Sequence, residues 1–313
     1  MEPVRILPLL QLLEDGVVEF KNLIEIGALF EGRKSVVRLV LTPKGVQNVH
    51  QFFGCYYPDV SIRLSSFVLE DVFQMTMLAS NRTYVDRFQR RRPARKGTDG
   101  ERVVFVGMQS AVDEAWTIEE DECLDTLTAR LYGYPACCGA AYRRITKGEG
   151  WLDSFFGTSA HFASFDLLNN RLSSIVQPWL AYHFDYFPCS AACGETWQIN
   201  RQNREMLARS DLSEFVELAD THLAAAAILH DGCVWYVRLN RLQAGRWSSQ
   251  PGLEPVIRRE GAERTRLAGL RISREAASAL IGEKWRYTGG GEVRVYLFRS
   301  GEGCGRDEHL SGT

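Results

Sequence analysis

The sequence has no apolar run long enough to cross a membrane: no uncharged stretch approaches the roughly 18 residues that a spanning helix requires. Its first residues lack the pattern of a signal peptide. The apolar run from Ile6 to Leu13 is short, is broken by Pro8 and Gln11, and gives way to acidic residues rather than to a small-residue cleavage site. Neither sign of charge dominates, since 37 Lys and Arg stand against 39 Asp and Glu for a net charge of -2. No global field therefore draws the chain to nucleic acid or acidic membranes, and any such partner must be argued from a local patch. No internal repeat or low-complexity tract interrupts a composition that is ordinary for globular proteins. Together these absences point to a cytoplasmic protein without a membrane segment. In a reducing compartment structural disulfides are a poor default, so clustered cysteines bind metal, carry redox chemistry or fill core.

Half of the eight cysteines sit in two short boxes. One reads Leu131-Tyr132-Gly133-Tyr134-Pro135-Ala136-Cys137-Cys138 and the other Phe187-Pro188-Cys189-Ser190-Ala191-Ala192-Cys193. Each sets a cysteine just after a proline and just before a segment that reads as a helix, Gly139 to Arg144 in one and Gly194 to Ile199 in the other. The repeated design suggests one site built from two halves. A helix N-terminus presents unpaired N–H groups and a partial positive charge, which lowers the cost of holding a thiolate or an anionic cluster.

Cys189 and Cys193, four residues apart, reach one metal from a loop or from one face of a helix. Cys137 and Cys138 are adjacent, and neighbouring side chains diverge on a helix or a strand. They suit a division in which one ligates and the other reacts, or in which each binds a different iron. Three chemistries fit these four sulfurs. A 4Fe-4S cluster suits several thiolates and keeps one iron open for substrate when only three cysteines ligate. Zinc suits four thiolates, or three thiolates and an imidazole, with His183 or His161 as nitrogen donor. A thiol or persulfide carrier would use the vicinal pair without metal. Four buried cysteines without chemistry are the plain alternative. The radical-SAM spacing Cys-x-x-x-Cys-x-x-Cys is absent, because Thr196 stands three residues beyond Cys193. Around the boxes, Cys138 is the candidate reacting thiol, Tyr134 a hydrogen-bond donor, Asp185 and Asp166 bases, and Arg143 and Arg144 anchors for carboxylate or phosphate. Each of these ionisable side chains also reads as an ordinary structural residue.

Elsewhere the pattern predicts strands over Gly16 to Phe20, Ser35 to Leu41, Val60 to Leu69, Glu101 to Gly107 and Cys233 to Leu239. It predicts helices from a Thr42 cap with Pro43 at the first position, around Leu69 to Leu78, through Cys123 to Leu131 after an acidic stretch, from His161 onward, and from Asp211 to His230. Phe52 to Pro58 is an aromatic cluster that reads as core or as a pocket wall. The segment from Lys147 to Ala160 is aromatic enough to fold over a site as a lid. Lys284 to Tyr287 and Glu292 to Phe298 flank Gly289-Gly290-Gly291 as a hairpin. The one dense basic segment, Arg87 to Gly97, reads as a solvated loop, and its part from Arg90 to Lys96 is the candidate contact for an anionic partner.

The sequence Tyr132-Gly133-Tyr134-Pro135-Ala136-Cys137-Cys138, with Pro188-Cys189-Ser190-Ala191-Ala192-Cys193 downstream, resembles a prokaryotic family catalogued as domain of unknown function 483. That family's pattern pairs a Leu-Gly-Tyr-Pro-x-Cys-Cys box with a His-x-Pro-Cys-x-x-x-Cys box. The resemblance implies a cysteine-centred site in a cytoplasmic protein and brings no assured reaction. This chain departs from the pattern two residues before Pro188, where Tyr186 stands in place of histidine and the nearest histidine is His183.

The expectation is an α+β protein in which central helices carrying the two cysteine boxes pack on a mixed β-sheet made by N-terminal and C-terminal strands. Residues 1-210 form the cysteine-box domain, and 211-313 a C-terminal lobe of helix and β-hairpin packed on it. The expected function is an iron–sulfur-dependent enzyme doing redox or sulfur chemistry on a small-molecule or carrier-bound biosynthetic intermediate. Its rival is a zinc-stabilised module that binds a protein or RNA partner through the Arg90 to Lys96 loop.

Overall fold

Val36-Val37-Arg38-Leu39-Val40-Leu41 forms strand β1 (Val36–Leu41), whose apolar side chains are buried except the half-exposed Val40. A computed structural model describes residues 12, 18, 20–69, 72–74, 83–86, 91–93, 95–97, 99–120, 129–146, 155–156, 162–172, 182–184, 186–210, 212–230, 233–238, 244–248, 258–259, 266–267, 270–271 and 293–300. Within these the chain separates into two compact units. One comprises residues 1–147, 183–187 and 203–213, the other residues 148–182, 188–202 and 214–313.

The first unit is built on β1 with β2 (Ser61–Leu69), β6 (Arg95–Lys96) and β7 (Glu101–Gly107), an antiparallel sheet in the order β1-β7-β2-β6. Strands β2 and β7 match the expected ones, and β2 carries a bulge between Leu64 and Val68. Helix α1 (Phe20–Phe30) packs on β1. Phe20 therefore opens a helix rather than closing the strand expected from Gly16. Helix α2 (Pro43–Tyr56) begins as its sequence dictates, with the Thr42 side chain accepting the Gly45 N–H and Pro43 in the first turn, where no intrahelical donor is needed. Phe52 and Phe53 are core, one of the two readings of that cluster, while Tyr56 is exposed.

Much of the acidic stretch before Cys123 lies inside a helix, α3 (Gln109–Glu120), and of the helix expected through Cys123 to Leu131 only residues 129–131 are among those described, where the chain is helical. Ala111, Val112, Ala115 and Ile118 bury one stripe of α3 against β2 and β7, Glu119 is buried as well, and Glu114 is exposed. The helix expected around Leu69 to Leu78 is instead strand β3 (Val72–Gln74), which joins β4 (Thr83–Asp86) and β5 (Arg91–Pro93) in a small antiparallel sheet. The basic segment is likewise not a plain loop. Arg91 to Pro93 pair with β4, and β6 pairs with Phe67 and Val68 at the edge of the main sheet.

The second unit holds β8 (Phe162–Asp166), β9 (Ala225–His230), β10 (Cys233–Arg238), β11 (Ala244–Ser248), β12 (Arg258–Arg259) and β15 (Val293–Arg299). They make one six-stranded sheet in the order β12-β11-β10-β9-β15-β8. It is mixed, because β15 runs parallel to β8 and antiparallel to β9. Two helical expectations hold only in part here. The run after His161 begins as strand β8 and a 3-10 turn over Leu167–Asn169, with helix at residues 171–172 before the described stretch ends, and the helix α6 (Ser213–Leu223) stops before the alanine stretch, which continues as the central strand β9. β10 is the strand its sequence predicts. It pairs with β9 and with β11, and β12 closes that edge. Phe156 stacks on Tyr296 with ring centroids 4.2 Å apart, so this part of the expected lid is core of the second unit. β13 (Arg266–Leu267) and β14 (Leu270–Arg271) form a two-stranded pair. The fold class is α+β as expected, with N-terminal and C-terminal strands in separate sheets rather than one. The Lys284 arm of the hairpin, Cys123 and the tail beyond Ser300 lie outside the described residues.

Candidate metal centre

The first box is the end of one helical turn joined directly to the start of the next helix. Gly133 donates to Arg130 O at 3.0 Å and Tyr134 to Ala129 O at 2.8 Å, the paired bonds of a Schellman cap. Gly133 sits at φ 69°, a conformation that side chains resist and glycine adopts without cost. Pro135 follows, and its carbonyl accepts the Gly139 N–H at 3.0 Å, which makes Pro135 the cap of helix α4 (Ala136–Thr146). Cys137 and Cys138 therefore occupy the first turn of α4. Cys138 is buried and Cys137 exposed.

The second box reaches a helix start by a different route. A turn bonds Cys193 N–H to Ser190 O, and Cys193 O accepts the Trp197 N–H at 3.0 Å, so Cys193 caps helix α5 (Gly194–Arg209). The loop is pinned from beneath. Ala191 N–H donates to Phe155 O at 2.7 Å, and the fully buried Asn169 sends its Nδ2 to Ala191 O at 2.9 Å and to Cys193 O at 3.3 Å. Asn200 on α5 returns a bond to Leu168 O at 2.6 Å, locking helix and 3-10 turn together.

The Sγ atoms of Cys137, Cys138, Cys189 and Cys193 all lie within 4.8 Å of one another, and no disulfide joins them. The expectation that adjacent cysteines must diverge does not hold at this turn. The Cys137 and Cys138 sulfurs are 3.8 Å apart, because staggered rotamers at two successive first-turn positions can close part of the angle between the Cα–Cβ bonds. Three of the four cysteines stand at helix starts, where unpaired N–H groups and the positive end of the dipole favour thiolates. The donor set is soft, close and able to bind a metal ion.

The remaining candidates are placed as follows. Tyr134 is buried three residues before Cys137, its ring 5.1 Å from that of Tyr186, which stands three residues before Cys189. His183 is buried and lies outside the four-cysteine group. Asp166 caps the 3-10 turn, accepting the Leu168 N–H at 2.8 Å. Arg143 and Arg144 lie in the last turn of α4, where cations suit the dipole. Asp185, His161 and Arg90 lie outside the described residues, whereas Arg95 and Lys96 are exposed on edge strand β6. Sequence reasoning missed Asn169, whose role depends on a loop more than twenty residues away and leaves no periodic signal.

Comparison with family models, with curated proteins and with solved structures finds no match to the chain. Fold and site together define an α+β protein with a four-cysteine, metal-competent cluster. No helix among the described residues is long and apolar enough to cross a membrane.

Proposed function

We propose that the four cysteines hold one tetrahedrally coordinated metal ion, zinc in the first instance, and that this closed four-thiolate centre fixes the two cysteine turns of a module that binds a protein or RNA partner. The spacing of the sulfurs carries this reading. Zinc–thiolate bonds of about 2.3 Å in a tetrahedron set the sulfurs about 3.8 Å apart. The vicinal pair stands at 3.8 Å and the whole group within 4.8 Å, so a single ion needs only a small contraction. In a 4Fe-4S cubane each thiolate binds its own iron, and the ligand sulfurs stand wider than they do around one ion. A site with four protein ligands and no open position is the structural kind of zinc site. For the partner, the exposed Arg95 and Lys96 supply an anion-seeking edge.

A second reading keeps the iron–sulfur enzyme. The exposure of Cys137 favours it, since a cluster held by Cys138, Cys189 and Cys193 would present its fourth corner on the exposed side, to a small-molecule or carrier-bound intermediate. Elemental and sulfide analysis of anaerobically purified protein separates the two. The first reading predicts a colourless protein with about one zinc per chain and no acid-labile sulfide. Brown protein with about four irons and four sulfides per chain would replace it with the second. Metal-free protein would defeat both.

A further inference from the structure

Both cysteine boxes are approached through aromatic residues of the first unit, and a buried lysine sits among them. Helix α1 ends in a Schellman cap at Gly32 (φ 72°), with Gly32 donating to Leu29 O and Arg33 to Ala28 O. That turn directs the two cations that follow. Arg33 reaches Glu31 and Asn203, while Lys34 turns inward to a 3.2 Å ion pair with Glu25 on α1, both side chains essentially inaccessible. The Lys34 ammonium lies 5.2 Å from the ring centroid of Tyr134 and 4.4 Å from that of Phe184. Its stem runs beside the first box, since a Cβ added at Gly133 would be in ordinary van der Waals contact with Lys34 Cγ at 3.5 Å.

We infer that Lys34, charge-balanced by Glu25, is a positioning residue for the cysteine centre, tying the approach to Cys137 to the approach to Cys189. Tyr134 precedes Cys137 by three residues, and Phe184 precedes Cys189 by five, with Tyr186 packed on Tyr134 between them. One ammonium over two rings fixes both approaches. A buried ion pair is a poor way to gain stability alone, since apolar side chains of similar volume serve as well or better. What such a pair adds is direction: the cation is attracted to ring faces, which sets where Tyr134 and Phe184 sit. This inference rests on the metal-centre reading of the four cysteines.

The test compares zinc affinity, by competition with a chromogenic chelator, in the wild type and in Lys34→Met/Glu25→Leu, which removes both charges and keeps the volume. Far-ultraviolet circular dichroism checks that the fold persists. The expected result is a folded double variant that binds zinc about 10- to 100-fold more weakly, the loss typical when groups supporting metal ligands are removed. Lys34→Arg, which keeps a cation over the rings, should recover part of the affinity, and cobalt-substituted protein should show a shifted ligand-field spectrum in the double variant alone. A folded double variant with wild-type affinity and spectrum would overturn the inference and leave the metal centre standing. Should the double variant fail to fold, Phe184→Leu, which removes one ring and no charge, takes its place: weaker zinc binding supports the inference and unchanged binding overturns it. Wild-type protein that binds no metal would instead defeat the reading of the site itself.

Discussion

Asn169 shows how a single amide fixes the second cysteine box. Its Nδ2 serves two loop carbonyls, Ala191 O and Cys193 O, in a place with no access to water. Asn169→Leu takes the donor from Ala191 O, while Cys193 O keeps the Trp197 N–H, and an unsatisfied buried polar group costs about 1–3 kcal/mol. Urea unfolding should show a loss of that order, and zinc affinity should fall with it. At the surface, Asp113 has its carboxyl held below the ordinary value of 3.8, chiefly by the hydrogen bond from Gln109, against an opposing effect of burial, with Arg63 adding to the lowering. A depressed folded value means stabilisation that is present above the unfolded value and is lost as pH falls through the folded one. Comparing Asp113→Asn with the wild type from neutral pH down should therefore show the wild type favoured at pH 7, with the difference fading below 3.8. The pair is exposed, so added salt should shrink that difference too. Residues such as Asp113 are legible as charge in sequence, but their partners are set by the fold.

The elements divide by how much of their structure is local. Helix α2 is written in its own residues, with a capping threonine and a first-turn proline, and sequence reading places it correctly. Thr42→Ala should lower stability by about 1 kcal/mol in thermal or urea unfolding, since it removes only the cap bond to Gly45. Strand β9 is the opposite case. Alanine favours helix, yet Ala225 and Ala227 are buried in the middle of a sheet. Ala227 is paired with Tyr236 on one side and with the fully buried Tyr296 on the other, and a large buried cross-strand neighbour leaves room for a small residue. Tertiary pairing overrides propensity there. Ala227→Leu should overpack this position and cost about 1–3 kcal/mol, read from urea unfolding. The strand β8 was hidden for a similar reason: it pairs with β15, whose first residue stands more than a hundred residues away in the chain.

At the scale of the whole molecule, the α+β class and the conjunction of two cysteine boxes are visible in sequence, because proline-cysteine turns before helices are local patterns. The arrangement of the strands into separate sheets was not visible, since strand pairing is non-local and periodicity does not name partners. Nor was the closeness of Cys137 to Cys138, which depends on rotamers within a helical first turn. If one ion joins four sulfurs so far apart in the chain, it stabilises the folded form by mass action, and chelation should lower the unfolding temperature while saturating zinc restores it. Replacing Cys189 by serine should remove most of that zinc-dependent shift. The central claim, a single ion in a shell of four thiolates, is tested most directly by X-ray absorption at the metal edge of the anaerobically purified protein. The account predicts zinc with four sulfur neighbours at about 2.3 Å and no metal–metal scattering. An iron edge with a short iron–iron distance, or a zinc shell made mainly of nitrogen and oxygen, would contradict it.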